Sequence, residues 1–215
     1  DTMSDHIVKA YDDDLAALLY TSGTTGRSKG AMLTHGNLLS NAEVLAREWR
    51  FAPDDVLLHA LPIFHTHGLF VATNVALLGG ASMLFLPGFD PEAILRLLPR
   101  ATVLMGVPTF YTRLLADPRF DRASASRIRL FVSGSAPLLA ETHIAFEART
   151  GHRILERYGM TETNMNTSNP YDGDRRAGRQ IGALVEVGED HLVRARGRLL
   201  APKIEPHRSP RAHDN

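Results

Sequence analysis

Short apolar segments alternate with amphipathic segments between residues 36 and 156, and this alternation restricts the fold more than any other feature of the chain. Apolar runs of strand length are separated by longer segments in which apolar residues recur at helical spacing. Such alternation is typical of α/β proteins, in which helices cover both faces of a mostly parallel sheet. The sequence therefore predicts an α/β fold with a mostly parallel sheet flanked by helices. The predicted strands span residues 56–61, 81–86, 102–106, 130–133 and 153–156, and the predicted helices span residues 36–49, 67–78, 91–98, 108–116 and 138–150.

A loop rich in hydroxyl side chains and glycine follows an apolar run at residues 14–20, which predicts a buried strand. Residues 21–30 read Thr-Ser-Gly-Thr-Thr-Gly-Arg-Ser-Lys-Gly. Glycines let several backbone N–H groups approach one anion, while the hydroxyls and Lys29 add donors and positive charge. The glycine spacing differs from that of a Walker A loop, and Lys29 leads into a predicted strand rather than a helix. We predict a phosphate-binding loop; a flexible linker of similar composition is the alternative, and the flanking apolar segments argue against it.

Three further motifs follow predicted strands. Residues 62–68 read Pro-Ile-Phe-His-Thr-His-Gly, residues 133–137 read Ser-Gly-Ser-Ala-Pro, and residues 158–162 read Tyr-Gly-Met-Thr-Glu. Ligands of open α/β sheets bind at the carboxyl ends of the strands. We therefore predict that these motifs and the phosphate loop meet at one rim of the sheet.

In this order the four motifs resemble those of the adenylate-forming superfamily, which includes acyl-CoA synthetases, luciferases and adenylation domains. The resemblance implies that ATP activates a carboxylate as an acyl-adenylate and that CoA then accepts the acyl group. It implies catalytic roles for Lys29, His65, Thr161 and Glu162, with Glu162 as a Mg²⁺ ligand. The implied ATP-binding residues are Thr21, Ser22, Gly23, Thr24, Thr25, Gly26, Lys29, Gly134, Ser135, Ala136, Pro137, Tyr158, Gly159, Met160 and Thr161.

The implied roles agree with the chemistry of the side chains. Lys29 would hold the departing phosphates, and the Glu162 carboxylate is a hard oxygen ligand that suits Mg²⁺. Tyr158 would stack on adenine. The alternatives are a surface glutamate after a turn, a core aromatic residue and, for residues 133–137, an ordinary turn at the end of a strand.

Two histidines in the second motif, His65 and His67, have the spacing of a possible metal site. The chain has no cysteine and no His-Glu-x-x-His sequence, and neither His35 nor His59 has a spacing that completes such a site. By the resemblance, His65 contacts the reacting carboxylate and phosphate, and His67 faces the acyl pocket. A hydrogen-bonded residue at a helix start is the alternative for His67.

The segment 156–178 resembles the malonyl-CoA synthetases beyond the general superfamily motif. A dicarboxylate keeps a second carboxylate that must be paired when it leaves water, and the planar guanidinium of arginine suits that pairing. An exposed Arg113–Asp117 pair is the alternative for Arg113, and the choice between malonate and methylmalonate stays open. The implied substrate-binding residues are His67, Arg113, Ser135 and Arg157.

The resemblance covers residues 1–178, which we interpret as part of an AMP-binding domain. We interpret residues 179–215 as a divergent tail, and we expect the lysine-bearing C-terminal lid domain to be absent. The isolated chain is therefore expected to form little or no malonyl-CoA. The alternative functions are a medium- or long-chain acyl-CoA ligase, a non-catalytic nucleotide-binding paralogue, and an adenylating domain that serves a carrier protein.

The composition of the chain argues against some classes of binding partner. The 24 basic residues balance 24 acidic residues among the 215, which gives no electrostatic footprint for nucleic acid. No apolar stretch is long enough for a membrane span. The absence of cysteine suits a cytoplasmic location, and an upstream targeting segment stays possible.

Overall fold

The computed structural model describes residues 8–21, 29–173 and 175, together with the backbone of Val185–Glu186. The predicted α/β class is confirmed, with helices on a mostly parallel sheet. The strands are β1 Leu15–Thr21, β2 Lys29–Thr34, β3 Val56–His59, β4 Ser82–Phe85, β5 Val103–Gly106, β6 Leu130–Ser133, β7 Ile154–Met160, β8 Asn164–Ser168 and β9 Val185–Glu186. The α-helices are α1 His35–Glu48, α2 Thr73–Leu78, α3 Pro91–Leu97, α4 Pro108–Leu115 and α5 Ala140–Thr150.

The main sheet has seven strands in the order β4-β3-β5-β6-β7-β8-β9 among the described residues. Strands β3 to β7 run parallel to their neighbours, and β8 and β9 complete the sheet in antiparallel pairing. The chain leaves β3 toward β4 at one edge and returns to β5 on the other side of β3. This reversal of strand order is the position at which open α/β sheets bind ligands, beyond the carboxyl ends of the strands.

The first two strands form an antiparallel hairpin that lies apart from the seven-stranded sheet. The prediction of a buried strand at residues 14–20 is wrong, because Leu18 is 43% exposed and Tyr20 is 72% exposed. Within the described residues no second layer covers the outer face of this hairpin. The phosphate loop joins β1 to β2, so the strand before it is not part of the sheet whose strands precede the other three motifs. Residues 22–28 lie outside the described residues, so the expectation that the four motifs meet at one rim stays a prediction.

A cluster of aromatic side chains packs β6 against the helix pair α4 and α5. Phe146 of α5 has ring contacts with Phe131, Tyr111 and Phe120, with centroid distances of 4.9, 5.5 and 5.5 Å. All four rings are fully buried. Burial of aromatic side chains on this scale contributes several kcal/mol and fixes the helices against the parallel strands.

Helix α1 is fastened to β8 by side-chain hydrogen bonds. It begins with a capping box, in which Thr34 and Asn37 each accept a hydrogen bond from the other's backbone N–H. Asn41 donates to the Met165 carbonyl at 2.8 Å and accepts from the Met165 N–H at 3.3 Å. Trp49 Nε1 donates to Ser168 Oγ at 2.9 Å. These bonds hold the antiparallel end of the sheet against α1.

Two predicted elements have a different form in the structure. The predicted helix 67–78 begins with a π-helical segment, His67–Ala72, before α2. The predicted strand 153–156 continues to Met160, so Tyr158 and Gly159 lie in β7 rather than in a loop after it. No helix in the described part of the chain is long and apolar enough to cross a bilayer.

Candidate functional site

A buried histidine, His67, lies where the chain leaves β3. It opens the π-helical segment and is only 5% exposed. Burial, together with the nearby Arg157 and His59, holds the pKa of His67 well below its usual value of 6.5. His67 is therefore neutral at physiological pH and presents one N–H and one bare ring nitrogen.

Ser135 orients the His67 ring from the loop that follows β6. Its hydroxyl lies 3.3 Å from His67 Nδ1, while His67 Nε2 is buried and has no hydrogen-bond partner among the described residues. Ser135 has a φ angle of 69°, in the left-handed region that a non-glycine residue seldom adopts. Backbone strain of this kind is typical of binding and catalytic sites.

The guanidinium of Arg157 packs across the same loop. A Cβ atom at Gly134 would lie 2.2 Å from Arg157 Cζ, so only glycine leaves room for this side chain. Arg157 is 7% exposed, and its Nε and Nη2 atoms are buried without a partner in the described part of the chain. His67, Gly134, Ser135 and Arg157 therefore form one cluster at the carboxyl ends of the strands, which we call the strand-end pocket.

The electrostatics of the strand-end pocket favour an anion. Burial lowers the pKa of Arg157 from 12.5 to about 9, so its guanidinium stays charged at pH 7. Burial also raises the pKa of the neighbouring Tyr111, whose hydroxyl donates to the Val132 carbonyl and stays protonated. No carboxylate of a described residue pairs with Arg157, so an uncompensated positive charge is buried here.

Part of the predicted nucleotide-binding set lies on the β7–β8 hairpin, namely Tyr158, Gly159, Met160 and Thr161, together with the predicted metal ligand Glu162. Tyr158 is 41% exposed in β7, and Thr161 and Glu162 form the turn before β8. Gly159 is required there, because a Cβ atom would lie 1.9 Å from the Asn164 carbonyl oxygen. The predicted loop residues Ala136 and Pro137 are exposed beside Ser135.

The predicted phosphate loop is only partly described. Thr21 ends β1 and Lys29 begins β2, and the two residues face each other in the hairpin register. The prediction that Lys29 leads into a strand is therefore confirmed. The predicted ligands Ser22, Gly23, Thr24, Thr25 and Gly26 lie outside the described residues.

Two predicted residues have no hydrogen bond, ion pair or ring contact with the strand-end pocket among the described residues. The guanidinium of Arg113 is exposed and lies over the Phe89 ring, 4.6 Å from its centroid. The alternative pair with Asp117 is wrong, because Asp117 pairs with Arg119 at 2.7 Å. His65 is exposed beside Phe64, with ring centroids 4.6 Å apart.

A model of the family described as "AMP-binding enzyme" matches residues 3–203 of the chain. The chain belongs to this family. The malonate–CoA ligase of Arabidopsis thaliana is 40% identical over 186 residues, which cover 77% of this chain and 31% of that protein.

Two solved structures resemble this AMP-binding enzyme closely. ATP-bound MatB from Rhodopseudomonas palustris is 68% identical, with a TM-score of 0.79 over 82% of this chain and 35% of that chain. A malonyl-CoA ligase with methylmalonyl-CoA and AMP bound is 43% identical, with a TM-score of 0.76 over 83% of this chain and 40% of that one. The chain thus spans between 31% and 40% of the length of these relatives.

The residues of the AMP-binding enzyme fit a Mg²⁺ ion only in company with nucleotide phosphates. Mg²⁺ is usually held by one or two carboxylates together with phosphate oxygens and water. The half-buried Glu162 carboxylate forms no ion pair with another described residue. No group of three or more His, Cys, Asp or Glu side chains that could hold a metal occurs in the described ranges.

Sequence reasoning missed the contribution of His59 to this AMP-binding enzyme. His59 was considered only as a metal ligand, yet its ring nitrogen Nε2 lies 3.0 Å from the carbonyl oxygen of Gly68 in the π-helical segment. The sequence gives one signal for this role, because His59 is a polar residue at the end of an otherwise apolar strand. The carbonyl it contacts lies nine residues further along the chain, and no local pattern predicts that contact.

Proposed function

We propose that this AMP-binding enzyme takes part in ATP-dependent activation of a small dicarboxylic acid, malonate or methylmalonate, through an acyl-adenylate that CoA then opens to a thioester. The observation that carries the proposal is the buried, unpaired guanidinium of Arg157 beside the neutral His67 ring. The relatives named above support the same chemistry.

A second arginine, the half-buried Arg129, shows why the state of Arg157 matters. Arg129 donates to both carboxylate oxygens of Asp55, at 2.7 and 2.5 Å, and to the carbonyls of Trp49 and Arg50. This arginine is fully paired within the protein. Arg157 is left with bare N–H groups, and a buried charge without a partner costs several kcal/mol. A carboxylate supplied by a ligand would offset this cost through a forked pair.

A dicarboxylate suits this pocket better than a fatty acid. One carboxylate of malonate would pair with Arg157, and the other would remain to attack the α-phosphate of ATP. If the Ser135 hydroxyl donates to His67 Nδ1, then His67 Nε2 carries the proton and donates to the bound acid. An alkyl chain would instead leave the Arg157 charge unpaired.

We assign the nucleotide to the phosphate loop and the β7–β8 hairpin. Thr21, Lys29 and the hydroxyls between them would hold the phosphates, Thr161 would contact the α-phosphate, and Tyr158 would stack on adenine. Glu162 would hold Mg²⁺, which neutralises phosphate charge when bound. His65 would approach the reacting carboxylate and phosphate. Pyrophosphate leaves as the carboxylate oxygen bonds to the α-phosphorus, and the CoA thiol later displaces AMP from the acyl carbon.

The first test is equilibrium binding of acids to the purified chain, measured by calorimetry in the presence of AMP and Mg²⁺. Malonate should bind at least about tenfold more tightly than acetate, and Arg157→Gln should remove that preference. Arg129→Gln is the matched control, which should lower thermal stability but keep the preference. Equal binding of malonate and acetate by the unaltered chain would contradict the dicarboxylate assignment.

The second test is acid-dependent exchange of pyrophosphate into ATP, measured with the longest reading frame that contains this sequence. Exchange with malonate is the expected result. Exchange with octanoate alone would favour the fatty-acyl alternative, and nucleotide binding without exchange would favour a non-catalytic paralogue. Acyl transfer to a carrier protein but not to CoA would indicate an adenylating domain of an assembly system.

Arg113 needs its own variant, because its guanidinium lies on the Phe89 ring. If Arg113 binds the acid, as proposed, its guanidinium must first move away from the Phe89 ring. Arg113→Gln should then weaken malonate binding while acetate binding stays unchanged. An unchanged malonate affinity would remove Arg113 from the acid-binding set and leave Arg157 as its one arginine.

We also propose a cytoplasmic location, which the absence of cysteine supports. Fractionation of cells that express the longest reading frame tests it. Recovery of the protein in the cytoplasmic fraction is expected, and recovery in an organelle would contradict it.

A further inference from the structure

We propose that His59 is a positioning residue, which holds the π-helical segment through the Gly68 carbonyl and thereby places the His67 ring in the strand-end pocket. This inference rests on the proposed function for its consequence in acid binding. Its structural part concerns how His59 and Thr73 hold Gly68 and thereby place His67, and it can be tested without any acid.

Three donors converge on the carbonyl oxygen of Gly68. The backbone N–H of Thr73 donates to it from five residues further along, which is the bond that makes this turn π-helical. The Thr73 hydroxyl donates to the same oxygen at 2.9 Å. His59 Nε2 lies 3.0 Å from it, and 3.4 Å from the Thr73 hydroxyl. The π-helical turn thus leaves the Gly68 carbonyl oxygen accessible to the side chains of His59 and Thr73, which both contact it.

The position of His59 suits a fixed support. It is the last residue of β3, is 1% exposed, and stacks on Phe85 of the neighbouring strand with ring centroids 4.3 Å apart. Burial lowers the pKa of His59 below its usual value, so the ring is neutral. Because its Nε2 faces a carbonyl, the single ring proton must lie on that nitrogen.

The other side of the turn is equally constrained. A Cβ atom at position 68 would lie 2.2 Å from the Pro62 carbonyl oxygen, so Gly68 presses directly against the preceding loop. The His59 ring and the Pro62 carbonyl therefore contact Gly68 from two sides. Since His67 is the preceding residue, fixing Gly68 fixes the backbone from which the His67 ring reaches Ser135 at 3.3 Å.

This arrangement differs from simple core packing in a way that substitution can separate. Packing needs only a side chain of similar volume at position 59. Positioning needs an N–H donor at the place of Nε2, which glutamine can supply and leucine cannot. Removal of the donor leaves the widened turn with one side-chain support instead of two.

The experiment compares the unaltered chain with His59→Gln, His59→Leu and Thr73→Val. The first readout is the ¹⁵N NMR signal pattern of the His67 ring in the unligated protein, assigned with a His67→Gln variant. We expect His59→Gln to preserve the His67 signals, and His59→Leu to shift or broaden them. Thr73→Val should act in the same direction as His59→Leu.

The second readout is malonate affinity relative to AMP affinity. His59→Leu should weaken malonate binding about tenfold with AMP binding within about twofold, and His59→Gln should restore most of the loss. Unchanged His67 signals in His59→Leu, or equal changes in the leucine and glutamine variants, would overturn the inference. If the unaltered chain fails to bind malonate, the proposed function falls, and the NMR comparison alone decides the role of His59.

Discussion

At the scale of single residues, the strand-end pocket combines a strained backbone with an unpaired charge. Ser135 keeps a left-handed conformation, with φ at 69°, while its hydroxyl faces His67. A left-handed non-glycine residue costs about 1–2 kcal/mol. Glycine would avoid this cost, so we expect the serine hydroxyl to have a role.

Ser135→Gly separates strain from function. Glycine relieves the left-handed strain but adds chain entropy in the unfolded state, so the free energy of unfolding should change by less than about 1 kcal/mol. Malonate affinity should fall about tenfold, because His67 loses the hydroxyl that orients its ring. Denaturant unfolding and calorimetry on the same samples check both values. A variant that binds malonate as tightly as the unaltered chain would contradict the role of the hydroxyl.

Gly134→Ala tests the space taken by Arg157. The added methyl group would lie 2.2 Å from Arg157 Cζ, so the guanidinium must leave its place. We expect malonate affinity to fall about tenfold or more, because the forked pair with a carboxylate loses its geometry. Gly88→Ala is the matched control, since a Cβ atom there has no neighbour within 4 Å. Equal affinities in the two variants would show that Arg157 does not need this cleft.

At the scale of elements, sequence periodicity predicts the regular parts and misses the contacts between them. Strand β6, Leu130–Ser133, has the predicted bounds, because four apolar or small residues buried on both sides give an unambiguous run. The apolar run at residues 14–20 predicts a strand but not its exposure, since apolar residues alone do not show whether a second layer covers a strand. The role of His59 was missed because it depends on a carbonyl in another element.

The sequence predicts that His67, Ser135 and Arg157 lie together, but it does not predict how their side chains are arranged. His67 and Ser135 follow strands of the main sheet, and Arg157 lies in β7 directly after its parallel pairing with β6. Parallel strands bring their carboxyl ends together. The sequence does not show that the Arg157 side chain lies across Gly134, nor that Arg113 stacks on Phe89. Those placements depend on side-chain packing among distant residues, which a single sequence does not encode locally.

The junction between α1 and β8 gives a prediction at this scale. Asn41 satisfies both the N–H and the carbonyl of Met165, and both lie in the interior. Asn41→Ala leaves these groups unpaired and should lower the free energy of unfolding by about 1–3 kcal/mol. Glu43→Ala, at an exposed position of the same helix, should change it by less than about 0.5 kcal/mol. Urea unfolding of the two variants measures the difference, and similar values would show that the junction contributes nothing specific.

At the scale of the whole molecule, one buried charge is paired within the protein and another is not. Asp55 and Arg129 form a paired network that joins β3, the start of β6 and the end of α1, and hydrogen bonds offset the effect of burial and hold the pKa of Asp55 below 3.8. At the carboxyl ends of the strands, Arg157 has no such network and His67 is held neutral. The first arrangement stabilises the fold, and the second leaves a buried positive charge that the proposed acid would neutralise.

The buried histidines make the stability of the unligated protein depend on pH in a defined direction. His67, His59 and His152 all have a pKa below the usual 6.5, each chiefly because burial disfavours the charged form. Well above pH 6.5 these histidines are neutral in both the folded and the unfolded chain, so they contribute no pH dependence there. Below pH 6.5 the unfolded chain takes up protons that the folded chain does not. The free energy of unfolding must therefore fall as the pH falls, by up to about 1.4 kcal/mol per pH unit for each such histidine.

Urea unfolding at several values between pH 8 and pH 5 measures this slope. The lower limit stays above the range in which Asp55 titrates, because that carboxyl has a pKa below 3.8 and loses its contribution only in stronger acid. His67→Gln should reduce the slope, since glutamine takes up no proton in either state, while His59 and His152 still contribute. His35→Gln, which alters an exposed histidine, is the control and should keep the slope of the unaltered chain. A stability that stays level or rises between pH 6.5 and pH 5 would contradict the burial of a neutral His67, and with it the polar pocket on which the proposed acid recognition depends.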